Sequence, residues 1–213
     1  MADYPLMNQV LYEGKAPLLK EMTEAALEEG IGAKEVLQEG LIAGMSVVGE
    51  DFKHNRLYVP QVLIAARAMK AGMALLKPLL SAGGDNVSAG TVIMGTVKGD
   101  LHDIGKNLVC MMAEGAGFEM IDLGVDQSAE KFIVAIREHN AEIVGMSALL
   151  TTTMPYMKVV IDKLKEEGLE HVKVCVGGAP VSEMFAEEIG ADGYGADASR
   201  AVELFKELSP ANV

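Results

Sequence analysis

Tryptophan is absent from this chain of 213 residues, aromatic residues make up only 5% of it, and it has two cysteines. Two cysteines without a CxxC spacing provide neither a zinc site nor a disulfide framework. Cys110 and Cys175 both lie in apolar segments, so we expect buried free thiols. Basic residues are also few, with 18 Lys and Arg against 31 Asp and Glu. Nucleic acids and anionic membranes attract clustered cations, so neither is an expected partner.

Targeting and membrane signals are also missing. The first five residues have neither the basic region nor the apolar core of a signal sequence. No uninterrupted apolar run reaches the ~20 residues that a membrane-spanning helix needs. We therefore expect a cytoplasmic protein.

The apolar periodicity divides the chain into two parts. Over residues 1–82 the apolar residues recur at helical spacing, which predicts helices at 16–29, 36–52 and 59–80. With a short leading helix at 7–12, these segments predict an N-terminal four-helix bundle. Residues 83–89 are small and polar, which is typical of a linker.

From residue 90 to 213 the pattern changes to short β-branched runs that alternate with helical stretches. This alternation predicts an α/β domain, a Rossmann-like (flavodoxin-like) doubly wound parallel sheet of five strands. This part is also the more acidic one, with a net charge of −10 against −3 for residues 1–85. The predicted strands are 90–97, 118–123, 141–147, 172–176 and 192–194.

Unusual residues follow three of these strands, in loops 99–107, 147–153 and 177–180. Because parallel strands end at one edge of a sheet, these loops are expected to meet where open α/β sheets bind their ligands. They offer an imidazole (His102), carboxylates, several hydroxyls and glycines. Glycine lacks Cβ and lets a bulky ligand approach the backbone, so Gly105, Gly177 and Gly178 predict a slot.

The loop at 99–107 allows three other interpretations. It resembles a phosphate-binding loop only loosely, since five residues separate Gly99 from Gly105 where four are required, and Asn107 replaces the magnesium-binding Ser or Thr. A metal hydrolase built on His102 and Asp103 would need further ligands. The other three histidines lie in the helical part or near predicted helix ends, where they are expected to be solvated or capping: His54, His139 and His171. A histidine that merely caps a helix is the simplest alternative.

The spacing also resembles a known family. Asp100-x-His102-x-x-Gly105, Ser147-x-Leu149 and Gly177-Gly178 are similar to the three-part signature of cobalamin-binding domains. The string 99–107 resembles the cobalamin module of methionine synthase and the small corrinoid proteins of methanol, methylamine and methoxy-aromatic methyltransferase systems. The resemblance continues through residues 44–70 and covers nearly the whole chain.

The resemblance implies base-off, His-on binding, with His102 as the axial ligand to cobalt. Asp100 would hydrogen-bond the other imidazole nitrogen, and Thr153 would complete this catalytic group. Loss of His102 from cobalt would be coupled to proton uptake by the His102–Asp100 pair. The helical part would cover the upper face of the corrin and swing away on the linker when partners dock, with Phe52 and Val59 shielding the methyl group. The remaining implied cofactor contacts are Gly99, Leu101, Asp103, Ile104, Gly105, Ser147, Leu149, Thr151, Gly177, Gly178 and Tyr194.

The resemblance also implies a function as a methyl carrier that is not catalytic alone. The cofactor would be cobalamin or a related corrinoid, methylated as an intermediate. A substrate-specific methyltransferase would load it, and an acceptor methyltransferase would pass the methyl group to tetrahydrofolate, a related pterin or a thiol. A reductive activase is a further implied partner. The alternatives are a cobalamin-dependent sensor, whose DNA-binding segment and cap tryptophan this chain lacks, and a mutase fragment.

Overall fold

The computed structural model describes residues 2–82 and 88–209, which form two compact units. The first unit contains the helices up to Ala82 together with Gly115–Gly117, and the second contains Ser88–Glu114 and the chain from Phe118. Residues 83–87 of the predicted linker lie outside the described residues. Ser88 and Ala89 belong to the second unit, and Ala89 is buried there with its carbonyl accepting from Ser209 Oγ.

The first unit is the predicted bundle of four helices. Helix α1 begins where Asp3 Oδ1 accepts from the backbone N–H of Leu6 at 3.0 Å, and α2 and α5 begin with proline in their first turns. The bounds are α1 Tyr4–Tyr12, α2 Ala16–Glu28, α3 Ala33–Glu35, a π-helical segment Val36–Ile42, α4 Ala43–Lys53 and α5 Val59–Ala82.

The segments between Ala33 and Lys53 run without a break, so they form one long helix, as predicted. Its widened π-helical stretch was not predicted. Gly40 lies within that stretch, and a Cβ there would come 3.0 Å from Met7 Cε of α1. The small residue therefore lets the two helices approach closely.

Helix α5 is, among the described residues, the one helix long and apolar enough to cross a membrane by length and composition alone, over Val59–Leu80. Core helices satisfy the same criterion. Here α5 packs against α2, and its apolar side includes Val62, Ala65, Met69 and Leu76, all buried. We therefore describe it as the central helix of the bundle.

The second unit is a five-stranded parallel sheet in the order β2-β1-β3-β4-β5, which is the flavodoxin-like order. Its elements are β1 Thr91–Thr96, α6 Ile104–Gly115, β2 Glu119–Asp122, α7 Ala129–His139, β3 Ile143–Ser147, α8 Tyr156–Glu166, β4 Lys173–Gly177, α9 Glu183–Ile189, β5 Gly193–Gly195 and α10 Ala198–Leu208. The predicted fold class is confirmed.

Both faces of the sheet are covered, as its continuous apolar strands require. On one face Ile93, Val144 and Val174 pack with α7, α8 and α9. The intervening strand residues point to the other face, where Phe118 and Phe205 meet edge to face at a centroid distance of 6.0 Å. Cys110 and Cys175 are buried free thiols, as predicted, and burial raises the pKa of each to about 12.

Candidate functional site

The carboxyl ends of the central strands align in register. Thr96 pairs with Ser147, Ser147 with Gly177, and Gly177 with Gly195. The chain leaves β1 towards β2 on one side and β3 lies on the other, so the crevice between β1 and β3 is the topological switch point of the sheet. The loops that follow these two strands carry the polar residues that the sequence analysis selected.

Asp100 joins the two loops across this crevice. Its side chain is fully buried, and its carboxylate accepts five hydrogen bonds. Oδ1 accepts from the imidazole Nδ1 of His102 at 2.7 Å and from its backbone N–H at 3.1 Å. Oδ2 accepts from Thr153 Oγ1 at 2.6 Å and from the backbone N–H groups of Leu149 at 2.8 Å and Leu150 at 3.3 Å.

These contacts keep Asp100 ionised. Burial alone raises the pKa of a carboxyl group, but the hydrogen bonds from Thr153, Leu149 and His102 outweigh burial and hold the pKa of Asp100 well below its ordinary value. An ionised carboxylate only accepts hydrogen bonds, so Nδ1 of His102 carries the proton. In the neutral imidazole the lone pair is then on Nε2.

The imidazole of His102 is half exposed at the sheet edge. No residue that the structure describes hydrogen-bonds its Nε2, and none of the described groups of His, Cys, Asp or Glu could hold a metal ion with three or more ligands. The metal hydrolase interpretation therefore finds no ligand set in the described chain. The geometry offers one oriented nitrogen ligand, which suits a metal that brings its other ligands on its own ring.

The phosphate-loop interpretation also fails on geometry. Lys106, which would reach for phosphate, has a side chain only 1% exposed, and its ammonium is 2.6 Å from Asp122 Oδ2. Its cation is thus turned into the protein and already paired. His54, His139 and His171 are exposed, and His54 and His139 lie at the ends of α4 and α7, as predicted.

Comparison with known proteins identifies the family. Two models, each described as a B12 binding domain, match residues 90–203 and 7–77. This chain belongs to the corrinoid-binding proteins of methyltransferase systems. Its cofactor is cobalamin or a related corrinoid. The half-exposed imidazole of His102, held by Asp100 through Nδ1, could hold the metal of such a cofactor through Nε2.

Relatives span nearly the whole chain. A corrinoid protein of Desulfitobacterium hafniense strain Y51 is 42% identical over 95% of both chains. Dimethylamine corrinoid protein 1 of Methanosarcina acetivorans is 46% identical over 89% of this chain and 91% of its own. In the crystal structure of the methanol:cobalamin methyltransferase complex of Methanosarcina barkeri, a chain 30% identical superposes with a TM-score of 0.86, covering 94% of this chain and 77% of that one.

Two apolar residues of the His102 loop are exposed to an unusual degree. Leu101 is 71% exposed and Ile104 is 80% exposed. Asp103 is also exposed, and its Oδ2 accepts from the side chain of Asn107 at 3.0 Å. Exposed apolar side chains beside a ligand-binding edge are typical of a surface that a ligand covers.

The three glycines of the predicted slot differ. A Cβ at Gly105 would meet nothing within 4 Å, so the space beside it is open. A Cβ at Gly178 would lie 1.9 Å from the carbonyl oxygen of Ala148, and one at Gly177 would lie 2.8 Å from that of Gly195. The backbone of the protein itself therefore requires glycine at these two positions, and their contact with a cofactor stays a prediction.

The other predicted contacts lie as follows. Gly99 has a φ of +83°, Thr151 is exposed in the turn after β3, and Ser147 is half buried with a hydroxyl that no described residue hydrogen-bonds. Tyr194, in β5, packs against the sheet core. Phe52 and Val59 are half-buried residues of the bundle, on either side of the α4–α5 connection, and their role above the cofactor stays a prediction.

The loop after β2 was not predicted to take part. Asp126 adopts a φ of +55°, accepts from the backbone N–H of Gly99 at 2.7 Å, and donates its own N–H to the carbonyl of Asp100 at 3.0 Å. Asp122 ends β2 and binds Lys106. Their position in the sequence could have indicated this role, because Asp122 and Asp126 also lie at the carboxyl end of a predicted strand.

Proposed function

We propose that this chain is the methyl-carrying subunit of a corrinoid-dependent methyltransferase system and acts in the cytoplasm. When bound, the corrinoid supplies a cobalt atom that accepts and releases a methyl group. The observation that carries the proposal is the hydrogen bond of 2.7 Å between Asp100 and Nδ1 of His102, which leaves Nε2 as a free ligand.

The protein supplies orientation and electrostatics for this chemistry. Asp100 selects the tautomer of His102 and fixes the orientation of its ring, as a carboxylate behind a metal-bound imidazole does. Thr153, 2.6 Å from Oδ2, and the N–H of Leu149 keep that carboxylate in place. The hydroxyl of Ser147, which neither accepts nor donates a hydrogen bond within the described chain, and the open space beside Gly105 would receive the nucleotide tail of the cofactor.

The partners are separate methyltransferases. Relatives include proteins named for dimethylamine and a chain in a methanol:cobalamin methyltransferase complex. Neither of the two described units is a substrate-binding barrel. We infer that one partner loads the carrier from a small methylated donor, and the names of these relatives favour a methylamine. A second partner passes the methyl group to tetrahydrofolate, a related pterin or a thiol.

A reconstituted assay tests the proposal. The chain is loaded with corrinoid and combined with a donor methyltransferase, an acceptor methyltransferase and a reductive activase. Methyl transfer should rise in proportion to the amount of carrier and should be lost with His102→Ala. The matched control is His139→Ala, which removes an exposed histidine at the end of α7 and should leave transfer unchanged. Transfer that continues without the carrier, or a loaded carrier that exchanges methyl with no partner, contradicts the proposal.

A further inference from the structure

Lys106 is a buried cation beside the site. It lies in the first turn of α6, four residues after His102, and it is the only lysine or arginine among the buried residues that the structure describes. Its Nζ is 2.7 Å and 2.6 Å from the two carboxylate oxygens of Asp122 and 2.6 Å from Oδ1 of Asn107. The ammonium is thus fully committed to protein acceptors.

Stability alone does not account for such a pair. Removing the Lys106 ammonium from water is costly, and Asp122, which is 39% exposed and therefore screened by water, offsets only part of that cost. The pair does supply a directional connection that apolar side chains lack. Asp122 is the last residue of the edge strand β2, so the connection ties the start of α6 to the sheet.

The His102 loop is therefore held at two ends. At one end Asp100 bonds the loop after β3 through Leu149 and Thr153. At the other end Lys106 bonds Asp122. His102 lies between these anchors.

Asn107 links the second anchor to the histidine. Its side-chain amide oxygen accepts from Lys106, and its amide nitrogen donates to Oδ2 of Asp103 at 3.0 Å. Its backbone N–H also donates to the carbonyl of Asp103 at 2.8 Å. The residue directly after His102 is thereby bonded to the residue that holds the buried cation.

We propose that the Lys106–Asp122 ion pair is a positioning pair for His102. It holds the second end of the loop so that Nε2 keeps one position for its axial bond to cobalt. This inference rests on the proposed function, and neither residue is taken to touch the cofactor. Because ligation by Nε2 depends on a fixed loop, loss of the pair weakens axial ligation before it prevents corrinoid binding.

Electron paramagnetic resonance of the cobalt(II) form tests the pair. The protein is grown on ¹⁵N, so ligation by His102 gives a doublet, whereas natural-abundance imidazole added as competitor gives a triplet. Lys106→Met keeps the apolar volume and removes the charge. In Lys106→Met, the imidazole concentration that displaces half of the His102 ligand should be about tenfold lower than in the wild-type protein. Substitution of a residue that hydrogen-bonds a metal ligand usually weakens metal binding by about 10- to 100-fold, and tenfold is the lower end of that range.

The matched control is Lys173→Met. It removes another lysine–aspartate pair of the same unit, Lys173 Nζ to Asp192 Oδ1 at 2.8 Å, which lies at the amino end of β4, away from the site. This variant should need the same imidazole concentration as the wild-type protein. A thermal melt of each variant separates general loss of stability from loss of ligation.

The outcomes are distinct. A Lys106→Met protein that folds and matches the wild-type displacement within twofold overturns the positioning role. Should that variant not fold, Asn107→Leu decides. It keeps the ion pair and the backbone hydrogen bond to Asp103, and it removes only the side-chain link from Lys106 to Asp103. A smaller shift in the same direction supports the inference, and no shift overturns it. A wild-type protein without any doublet refutes the proposed ligand instead.

Discussion

The two units of this protein differ in how many polar and charged side chains they bury. Of the eight buried polar or charged residues in the described chain, only Thr23 belongs to the helical unit, and its hydroxyl simply donates to the carbonyl of Leu19 in the same helix. The α/β unit buries the other seven, among them Asp100, Lys106 and Thr153. The helical unit is therefore stabilised by apolar packing, while the α/β unit also maintains a polar network.

This difference shows which unit must hold side chains in fixed positions for the site. Polar groups in a low-dielectric interior stabilise one geometry strongly when every partner is present, and they are costly when one is missing. The network around Asp100 and Lys106 surrounds the one loop whose imidazole must be fixed. Apolar packing in the bundle tolerates small volume changes more readily. The first unit should accordingly tolerate substitution better than the second.

The largest expected effect is at Gly178. A Cβ there would lie 1.9 Å from the carbonyl oxygen of Ala148, and φ is +124°. Gly178→Ala should reduce the free energy of unfolding by more than about 4 kcal/mol, because backbone must move to relieve the collision. Urea unfolding measures this. A variant as stable as the wild-type protein would show that the β3 and β4 loops are not packed as described.

A core deletion in the bundle ranks next. Leu76 is fully buried in α5, so Leu76→Ala should cost about 3 kcal/mol through lost burial and the cavity left behind. The tautomer of His102, read from its imidazole ¹⁵N shifts, should stay unchanged. Leu79→Ala, at a half-exposed position of the same helix, is the control and should cost far less. A changed His102 tautomer in Leu76→Ala would contradict the view that apolar packing in the helical unit and the polar network of the α/β unit are independent.

Asp100→Asn should have an intermediate effect of about 2 kcal/mol at neutral pH, since charge-assisted hydrogen bonds are lost. The pKa of Asp100 is lowered in the folded protein, so its contribution to stability is present above the pKa of the unfolded chain and is lost as the pH falls below about 4. Unfolding curves of the cofactor-free proteins should therefore converge on acidification. A difference that stays constant between pH 7 and pH 3 would contradict the ionised state assigned to Asp100.

The smallest effect on stability is expected at Gly105. Gly105→Ala places a methyl group in open space within a helix and should change the free energy of unfolding by less than about 1 kcal/mol, towards greater stability. Gly105→Phe should also fold, but it should take up little corrinoid on gel filtration. Normal uptake by Gly105→Phe would count against the slot beside this residue.

Much of this architecture could be predicted from periodicity. The strands and helices of the second unit follow from short β-branched runs alternating with helical ones, and parallel topology then brings His102 and Ser147 to one edge. The family resemblance also predicted that Asp100 hydrogen-bonds the imidazole two residues away.

Contacts between distant segments could not be predicted in this way. Lys106 and Asp122 lie sixteen residues apart, and nothing in their spacing shows that the lysine is buried. Glycine is equally ambiguous in a sequence. Gly178 avoids a collision with the backbone of Ala148, whereas Gly105 faces open space, and both were read as room for a ligand.

The central claim is the bond between Nε2 of His102 and cobalt. The most direct measurement is the paramagnetic resonance spectrum of the cobalt(II) corrinoid bound to protein labelled with ¹⁵N at histidine only. The account predicts a nitrogen doublet in the wild-type protein and in His139→Ala, and its loss in His102→Ala. A triplet from the cofactor's own base in the wild-type protein, or a doublet that survives in His102→Ala, would contradict it.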